Sequence, residues 1–405
     1  MKRRIYLIGM GMGRPENMTT EARMALEHSQ CIIGAKRLVD SLEGFTAPKI
    51  RAALTDEVCA AIAENPQFDP VSVVFSGDIG FYSGADALRK RMGEEYALIP
   101  LCGISSPVYF CGKLGLPWQD VHLVSAHGRQ ANPVGEVLCH ERVLFLTGGR
   151  WRAQDICREL VNWELGQCKI WVGERLSYPE ERITAGRAQE LADREFDPLA
   201  VLLAQWEGTK PIKTVPGLPD EFFLRGSVPM TKSEVRSICL SKLRIAPGDI
   251  VYDIGAGTGS VAVECAIAAP MGFVYAVEKN PEGISLIRQN REKSGTWNLK
   301  AVEGTAPQAL SGLPTPDKAF IGGSSGNLKE ILTLLQEKNP EIRVVLTAIT
   351  LETVGKALKA LAELPFDEAE IVQIGVSKAK KAGNSHMMMG QNPVFVITAQ
   401  GLAHP

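Results

Sequence analysis

The sequence predicts an α/β protein built in two parts, and three observations carry that prediction. An apolar run, a glycine-rich turn and a helix-like segment follow one another three times between Arg4 and Pro107, the pattern of an α/β layer with its turns gathered at the strand ends. The same succession returns at Ile250–Ala269, with different glycine spacing. Between the two lies Trp206–Pro219, where Gly208, Pro211, Pro216, Gly217 and Pro219 interrupt any periodicity, as expected of a linker. The unlike motifs argue against an internal duplication.

In chain order, Arg4–Gly9 reads as a strand opening into Gly9-Met10-Gly11-Met12-Gly13, and Thr19 and Thr20 supply a hydroxyl cap for a helix over Glu21–Ser29. Cys31–Gly34 is a short strand and Ala35–Ser41 the start of a helix. Val71–Ser76 is a buried strand running into Gly77-Asp78-Ile79-Gly80 and a helix from Gly84 to Met92. Tyr96–Leu101 leads into Gly103-Ile104-Ser105-Ser106-Pro107 and another helix. After a break at Leu114–Pro117, strands are expected at Val121–Val124, Arg142–Leu146, Lys169–Val172 and Leu199–Ala204. This gives a domain over 1–208, with subdomains of about 1–116 and 117–208, a linker over 209–219, and a second domain over 220–405.

In the second domain, Thr231 is the expected cap of a helix over Ser233–Leu243. Ile250–Ile254 is a strand that passes through Gly255-Ala256-Gly257-Thr258-Gly259 into a helix, and Phe273–Val277 is a strand ending in Glu278. Ala319–Ile321 enters Gly322-Gly323-Ser324-Ser325-Gly326, followed by a helix over Leu328–Glu337, a strand over Arg343–Leu346 and a strongly periodic helix over Leu351–Leu364. Ala369–Ser377 and Val394–Thr398 form a closing pair of strands, with Lys378, Lys380, Lys381 and His386 in a loop between them.

Composition narrows the function. The chain has 405 residues, 45% hydrophobic and 22% charged, with a net charge of −2, so no global basic field draws it to nucleic acid. Nine cysteines are scattered without a C-x-x-C pair, which argues against a zinc site or disulfide framework and for reduced thiols in a cytoplasmic setting. No apolar run approaches a membrane span.

Asp253 to Gly259 is the sharpest signal. A dinucleotide turn needs Gly-x-Gly-x-x-Gly, but here the third glycine comes one place early and Ser260 holds the dinucleotide position. Asp-x-Gly-x-Gly-x-Gly followed by Glu278 resembles the cofactor motif of Rossmann-like methyltransferases that use S-adenosylmethionine (SAM), whose sheet has seven strands. In the first part, four motifs in order resemble the tetrapyrrole methylase family: Gly9–Gly13, Ser76-Gly77-Asp78 with Tyr82, Pro100 with Gly103-Ile104-Ser105-Ser106, and Ser125-Ala126-His127-Gly128-Arg129. Met12 stands where that family usually has proline, and Leu101-Cys102 lengthens the spacing from Pro100 to Gly103. The two together are similar to the fused, decarboxylating precorrin methyltransferases of cobalamin biosynthesis.

That resemblance implies a tetrapyrrole methylase fold of two α/β subdomains, then a Rossmann-like seven-stranded SAM methyltransferase fold. It implies two methyl transfers to a precorrin, at C5 by the first domain and C15 by the second, loss of carbon dioxide from the C12 acetate in the second, and one SAM per domain. The partners expected are the precorrin and a second copy of the chain, with neither nucleic acid nor membrane. Rival readings are a nucleic-acid methyltransferase, which lacks an arginine stripe or stacking aromatics here, and a non-catalytic tetrapyrrole carrier.

The cofactor residues expected are Gly77, Asp78, Ile79, Ser105 and Ser106 in the first domain, with Gly11 towards the substrate. Asp78 could equally be a turn former bonded to its own backbone. In the second domain they are Asp253, Gly255, Gly257, Thr258 and Gly259, with Glu278 on the ribose and Thr305 and Ala306 beside the adenine. Gly322–Ser325 is expected to meet both cofactor and substrate. The substrate carries many carboxylates, so cations are sought at Arg129, Arg150 and Arg152 and at Lys378, Lys380 and Lys381. Thr231, Lys232, Arg236 and His386 are the candidates for positioning substrate in the second domain, with Met387–Met389 beside His386. A satisfied structural role is the competing reading for His127 and His386, and a solvated surface charge for each cation.

Overall fold

A computed structural model describes residues 2–126, 131–214 and 216–403; His127 and Arg129 lie outside the described residues. The chain forms two compact units: Met1–Ala131 with His140–Arg158 and Gln167–Gln205, and Asn132–Cys139 with Glu159–Gly166 and Trp206–Pro405.

The first unit contains two five-stranded sheets. The first comprises β1 (Arg3–Gly9), β2 (Cys31–Gly34), β3 (Lys49–Arg51), β4 (Val71–Phe75) and β5 (Tyr96–Leu101). Its order is β3-β2-β4-β1-β5 and every pairing is parallel. Ile5, Ile8, Ile32, Ile33 and Val73 are wholly buried, because a parallel sheet is covered on both faces and its strands read as continuous apolar runs. The helix Thr20–His28 is capped as expected, the Thr19 side chain accepting from the Ala22 amide.

β1, β4 and β5 are adjacent and parallel, so their three glycine-rich exits lie side by side. They touch backbone to backbone. Gly11 and Gly77 exchange amide hydrogen bonds at 3.0 and 2.8 Å. A Cβ on Gly103 would lie 2.4 Å from the Gly77 carbonyl oxygen and 2.5 Å from that of Gly9, a contact that only glycine permits.

The second sheet comprises β6 (Val121–Ser125), β7 (Arg142–Leu146), β8 (Lys169–Glu174), β9 (Arg182–Arg187) and β10 (Ala200–Gln205), in the order β6-β7-β10-β8-β9. Only β6 and β7 run parallel. β9 is an edge strand with little buried surface, which is why its sequence carries no apolar alternation.

The second unit is a seven-stranded sheet, as expected, in the order β13-β12-β11-β14-β15-β19-β16. Its strands are β11 (Ile250–Ile254), β12 (Phe273–Glu278), β13 (Leu299–Glu303), β14 (Lys318–Ile321), β15 (Arg343–Ala348), β16 (Glu370–Ile374) and β19 (Val394–Gln400), with β17 (Ser377–Ala382) and β18 (Ser385–Gly390) forming a separate hairpin. The first five are parallel, and β19 runs antiparallel between β15 and β16. The strand order reverses between β11 and β14, the switch point at which open α/β sheets bind ligands.

Two expectations are corrected here. The segment from Lys378 to His386 is not a loop: β17 and β18 pair antiparallel with Lys381 opposite His386, and all twelve of their residues are exposed. With both faces in water there is no hydrophobic period for a sequence reading to find. The helix Ser233–Leu243 is not capped by Thr231: Lys232 occupies the cap position without a side-chain bond, and the Ser233 amide donates instead to Asp220 Oδ1 at 2.9 Å.

Candidate functional sites in the two units

At the switch point of the second unit, the turn after β11 has three positive-φ glycines: Gly255 at 73°, Gly257 at 55° and Gly259 at 78°. Space as well as conformation requires them. A Cβ on Gly255 would lie 2.6 Å from the Gly323 carbonyl oxygen, and one on Gly257 2.3 Å from that of Pro229. The turn is thus pressed between the loop after β14 and the segment before the helix Ser233–Leu243. Glu278, at the end of β12, holds its shape: its carboxylate accepts from the amides of Gly257, Lys279 and Asn280, each at 2.9 Å.

These elements enclose a cavity of about 190 Å³, lined by Gly255, Gly257, Glu278, Thr305, Ala306 and the Gly322–Ser325 loop. Beside it is a second cavity of about 600 Å³, and Pro229, Gly322, Gly323 and Ser324 line both. A narrow slot bounded by glycine backbone, with a carboxylate at one side, fits the SAM expected from the sequence: the missing side chains leave room for an extended ligand, and Glu278, with Oε1 taken by two amides and Oε2 by one, keeps one lone-pair site on Oε2 for a ribose hydroxyl.

Asp253 and Thr258 do not face this slot. Both are wholly buried, and among the described residues no hydrogen bond of good geometry reaches either Asp253 oxygen or Thr258 Oγ1, the Ala262 N–H being the donor nearest in effect to the Asp253 carboxylate. Burial pushes the Asp253 carboxyl up to about 7; the Ala262 N–H opposes the rise and the Glu278 charge adds to it. Alternation along β11 turns Asp253 into the core, which corrects the expectation that it contacts the cofactor.

Thr231 and Lys232 line the larger cavity, whereas Arg236 does not. Its guanidinium is wholly buried between Glu264 (Nε to Oε1, 2.5 Å) and Asp220 (Nη1 to Oδ1, 3.4 Å), and it also donates to the carbonyls of Thr231, at 2.6 Å, and Leu218. Glu264 in turn accepts the amides of Gly217 and Leu218. Arg236 therefore shapes the 217–233 segment and has no face left for substrate. His386 and Met387–Met389 stand exposed on β18, outside the lining of the cavity. Lys378 pairs with Glu234 at 2.8 Å, and Lys380 and Lys381 are exposed. Gln391 and Asn392, which sequence reasoning passed over, line the cavity just beyond the hairpin.

The first unit holds a cavity of about 770 Å³ where the turns after β1 and β4 meet residues of the second sheet. Met12, Gly77, Ser106, Ser125, Thr147 and Gly173 are in its lining. Asp78, Ile79, Ser105 and Gly11 are not in that lining. Asp78 is a turn builder, accepting from Gly80 at 2.8 Å and from Gly103 at 3.0 Å. Ser105 is buried and precedes the helix Ser106–Leu114. Arg150 is exposed over Trp151 and Arg152 is also exposed; neither reaches the cavity. The cation that does is Arg37, with Tyr178 beside it. Only the position of Arg37, just after a strand that ends in glycine, could have pointed to it.

Comparisons with known proteins match two families to two parts of the chain. Residues 4–192 match the family described as Tetrapyrrole (Corrin/Porphyrin) Methylases, and residues 221–400 the Precorrin methyltransferase domain. The Probable cobalt-precorrin-6B C(15)-methyltransferase (decarboxylating) of Saccharolobus solfataricus is 42% identical over 191 residues, 46% of this chain and 96% of that protein. A solved Precorrin-6y C5,15-methyltransferase structure from Geobacter metallireducens GS-15 is 39% identical, covering 46% of this chain and 97% of its own, with a TM-score of 0.44. The Precorrin-6Y C(5,15)-methyltransferase [decarboxylating] of Sinorhizobium sp is 30% identical over 405 residues, 97% of this chain and 95% of that protein. With that full-length relative, the chain belongs to the family of fused, decarboxylating precorrin-6Y C(5,15)-methyltransferases.

Proposed function

We propose that this chain methylates a precorrin at C5 in its first unit and at C15 in its second, and removes the C12 acetate carboxyl in the second, giving precorrin-8. The observation that carries the reading is the pair of cavities in the second unit, a narrow glycine-walled slot and a larger chamber sharing Pro229 and the Gly322–Ser324 loop, in a chain whose full-length relative bears that name. SAM, the methyl donor of the family, supplies a methyl group on a sulfonium, and one molecule bound per unit is part of the proposal. The domain boundaries at 1–208 and 220–405 belong to it too.

The protein's task is alignment. The ring carbon of a reduced tetrapyrrole is already a nucleophile, so the chain has to hold it in line with the methyl and keep water out. Gly255, Gly257, Glu278, Thr305 and Ala306 would hold the cofactor. Thr231, Lys232, Gln391 and Asn392 would hold the polar edge of the substrate, with Lys232 binding a carboxylate. The lining of the larger chamber contains no carboxylate, imidazole or thiol among the described residues, so electron flow in the decarboxylation falls to the macrocycle. The bond to the carboxyl carbon breaks, its electron pair enters the conjugated ring, carbon dioxide leaves, and the remaining carbon takes a proton from water.

The test uses the full chain, reduced precorrin and SAM carrying a labelled methyl. The product should contain two labelled methyl groups and one carboxyl fewer, and calorimetry should find two SAM molecules per chain. A product with a single methyl, or one binding event, would remove one half of the proposal.

A further inference from the structure

We infer that Arg37 and Tyr178 form a two-donor clamp for a carboxylate side chain of the tetrapyrrole in the first unit; the inference rests on the proposed C5 methylation there. Arg37 follows β2, Ser76 follows β4 and Tyr178 follows β8, so three strand exits from both sheets of the unit converge on one wall of the 770 Å³ cavity. Arg37 Nη1 donates to the Tyr178 phenol oxygen and Nη2 reaches Ser76 Oγ at 3.4 Å. The guanidinium carbon lies 5.9 Å from the Tyr178 ring centroid. The Tyr178 hydroxyl also passes close over Gly13, where a Cβ would come within 2.5 Å of it.

Two features turn this cluster into a site. Among the described residues, Arg37 is the one charged side chain in the lining, and no carboxylate lies within ion-pair distance of it. Arg3, by contrast, has three of its donors satisfied by the carbonyls of Ile62, Asn65 and Phe68, and Arg182 lies against Glu174 at 2.6 Å. Arg37 thus keeps N–H groups and a whole positive charge at the cavity, with no counter-ion among the described residues. Because the Tyr178 oxygen accepts from Arg37, its own proton points elsewhere and is free to donate. A carboxylate seated against both receives one charged hydrogen bond from the guanidinium and one neutral hydrogen bond from the phenol.

The clamp acts on binding and orientation, so its removal should raise KM and leave kcat nearly unchanged. Steady-state C5 methylation by the full chain is measured with Arg37→Met, Arg37→Lys and Tyr178→Phe. Losing a charged hydrogen bond to a carboxylate should raise KM for precorrin about 10- to 100-fold in Arg37→Met. Tyr178→Phe should raise it about 3- to 10-fold, and Arg37→Lys should recover part of the loss. The salt dependence of KM should weaken in Arg37→Met, while SAM binding by calorimetry and KM for the C15 step stay as in the wild type. A KM in Arg37→Met within about twofold of wild type, with the wild type methylating C5, overturns the clamp alone. Absence of C5 methylation by the wild type overturns the functional reading and the clamp with it.

Discussion

The two units place their charges differently around their cavities. In the first, Arg37 stands at the wall with no carboxylate beside it among the described residues. In the second, Lys232 stands at the wall with its Nζ 3.8 Å from Asp220 Oδ2, an acid already engaged with Arg236 and the Ser233 amide. The glycines differ in parallel. The first unit crosses turns from three neighbouring strands over one another, whereas the second presses one turn between a loop and the 217–233 segment. The first unit therefore depends on backbone contact and holds its cation against neutral hydroxyls, while the second depends on a buried charge network that shapes its wall.

The largest effects should come from adding a single methyl group to each arrangement. Gly257→Ala puts a Cβ 2.3 Å from the Pro229 carbonyl oxygen at a φ of 55°, and the wall between slot and chamber must move. C15 methylation should fall at least about 100-fold, since small misplacements of reacting groups are costly, with C5 methylation retained. Gly103→Ala should do the reverse, because its Cβ would meet two backbone oxygens in the first unit. Product analysis separates the two. If either substitution silenced both methylations equally, the independence of the two arrangements would fail.

Next comes the charge network. Arg236→Met leaves Glu264 and Asp220 buried without their partner, and removing one member of a buried pair costs about 3–5 kcal/mol. Chemical denaturation should show that loss in the transition of the second unit. A loss below about 1 kcal/mol, the scale of an exposed pair, would mean the network is solvated. Glu278→Ala should be smaller in stability and specific in binding: three backbone amides lose their acceptor. SAM affinity of the second unit should drop about 10-fold or more, with the first unit's binding event untouched in the same calorimetric titration.

These contrasts also mark what was legible in the sequence. The parallel sheets and glycine turns were, because buried strands are unbroken apolar runs and positive φ selects glycine. Among the slot residues, Gly255 and Gly257 were readable for the same reason, since their positive φ selects glycine, whereas Glu278, Thr305 and Ala306 were readable from their positions at strand ends. The helix Pro281–Ser294 went unread although Asn280 caps it, Pro281 opens it and Gly295 closes it in the left-handed region. Side-chain direction was not legible. Arg236 and Lys232 stand four residues apart in one polar run, yet one is wholly buried and the other lines a cavity, because Glu264, far along the chain, draws the first inward. Arg37 was missed because its meaning depends on Tyr178, which folding brings to it from 141 positions away.

The smallest effect tests Asp253, a buried acid that contacts neither cavity. Its carboxyl sits at about 7 in the folded chain, against the 3.8 of an unperturbed aspartate. Below the lower value it is protonated whether the chain is folded or not, and contributes nothing. Between the two, the folded chain holds a proton that the unfolded chain has released, so stability falls as pH rises. Above about 7 the penalty is constant. Asp253→Asn lacks the titration, so its stability relative to wild type should improve steadily from pH 4.5 to about 7 and then level off. Glu278→Gln removes a charge that raises the Asp253 value, and should move the levelling point to lower pH. Denaturation across that range, followed in the transition that Arg236→Met also shifts, reads both. A wild-type-to-Asn difference independent of pH across this range would show that Asp253 is ionised throughout it in the folded chain, and that burial does not raise its carboxyl.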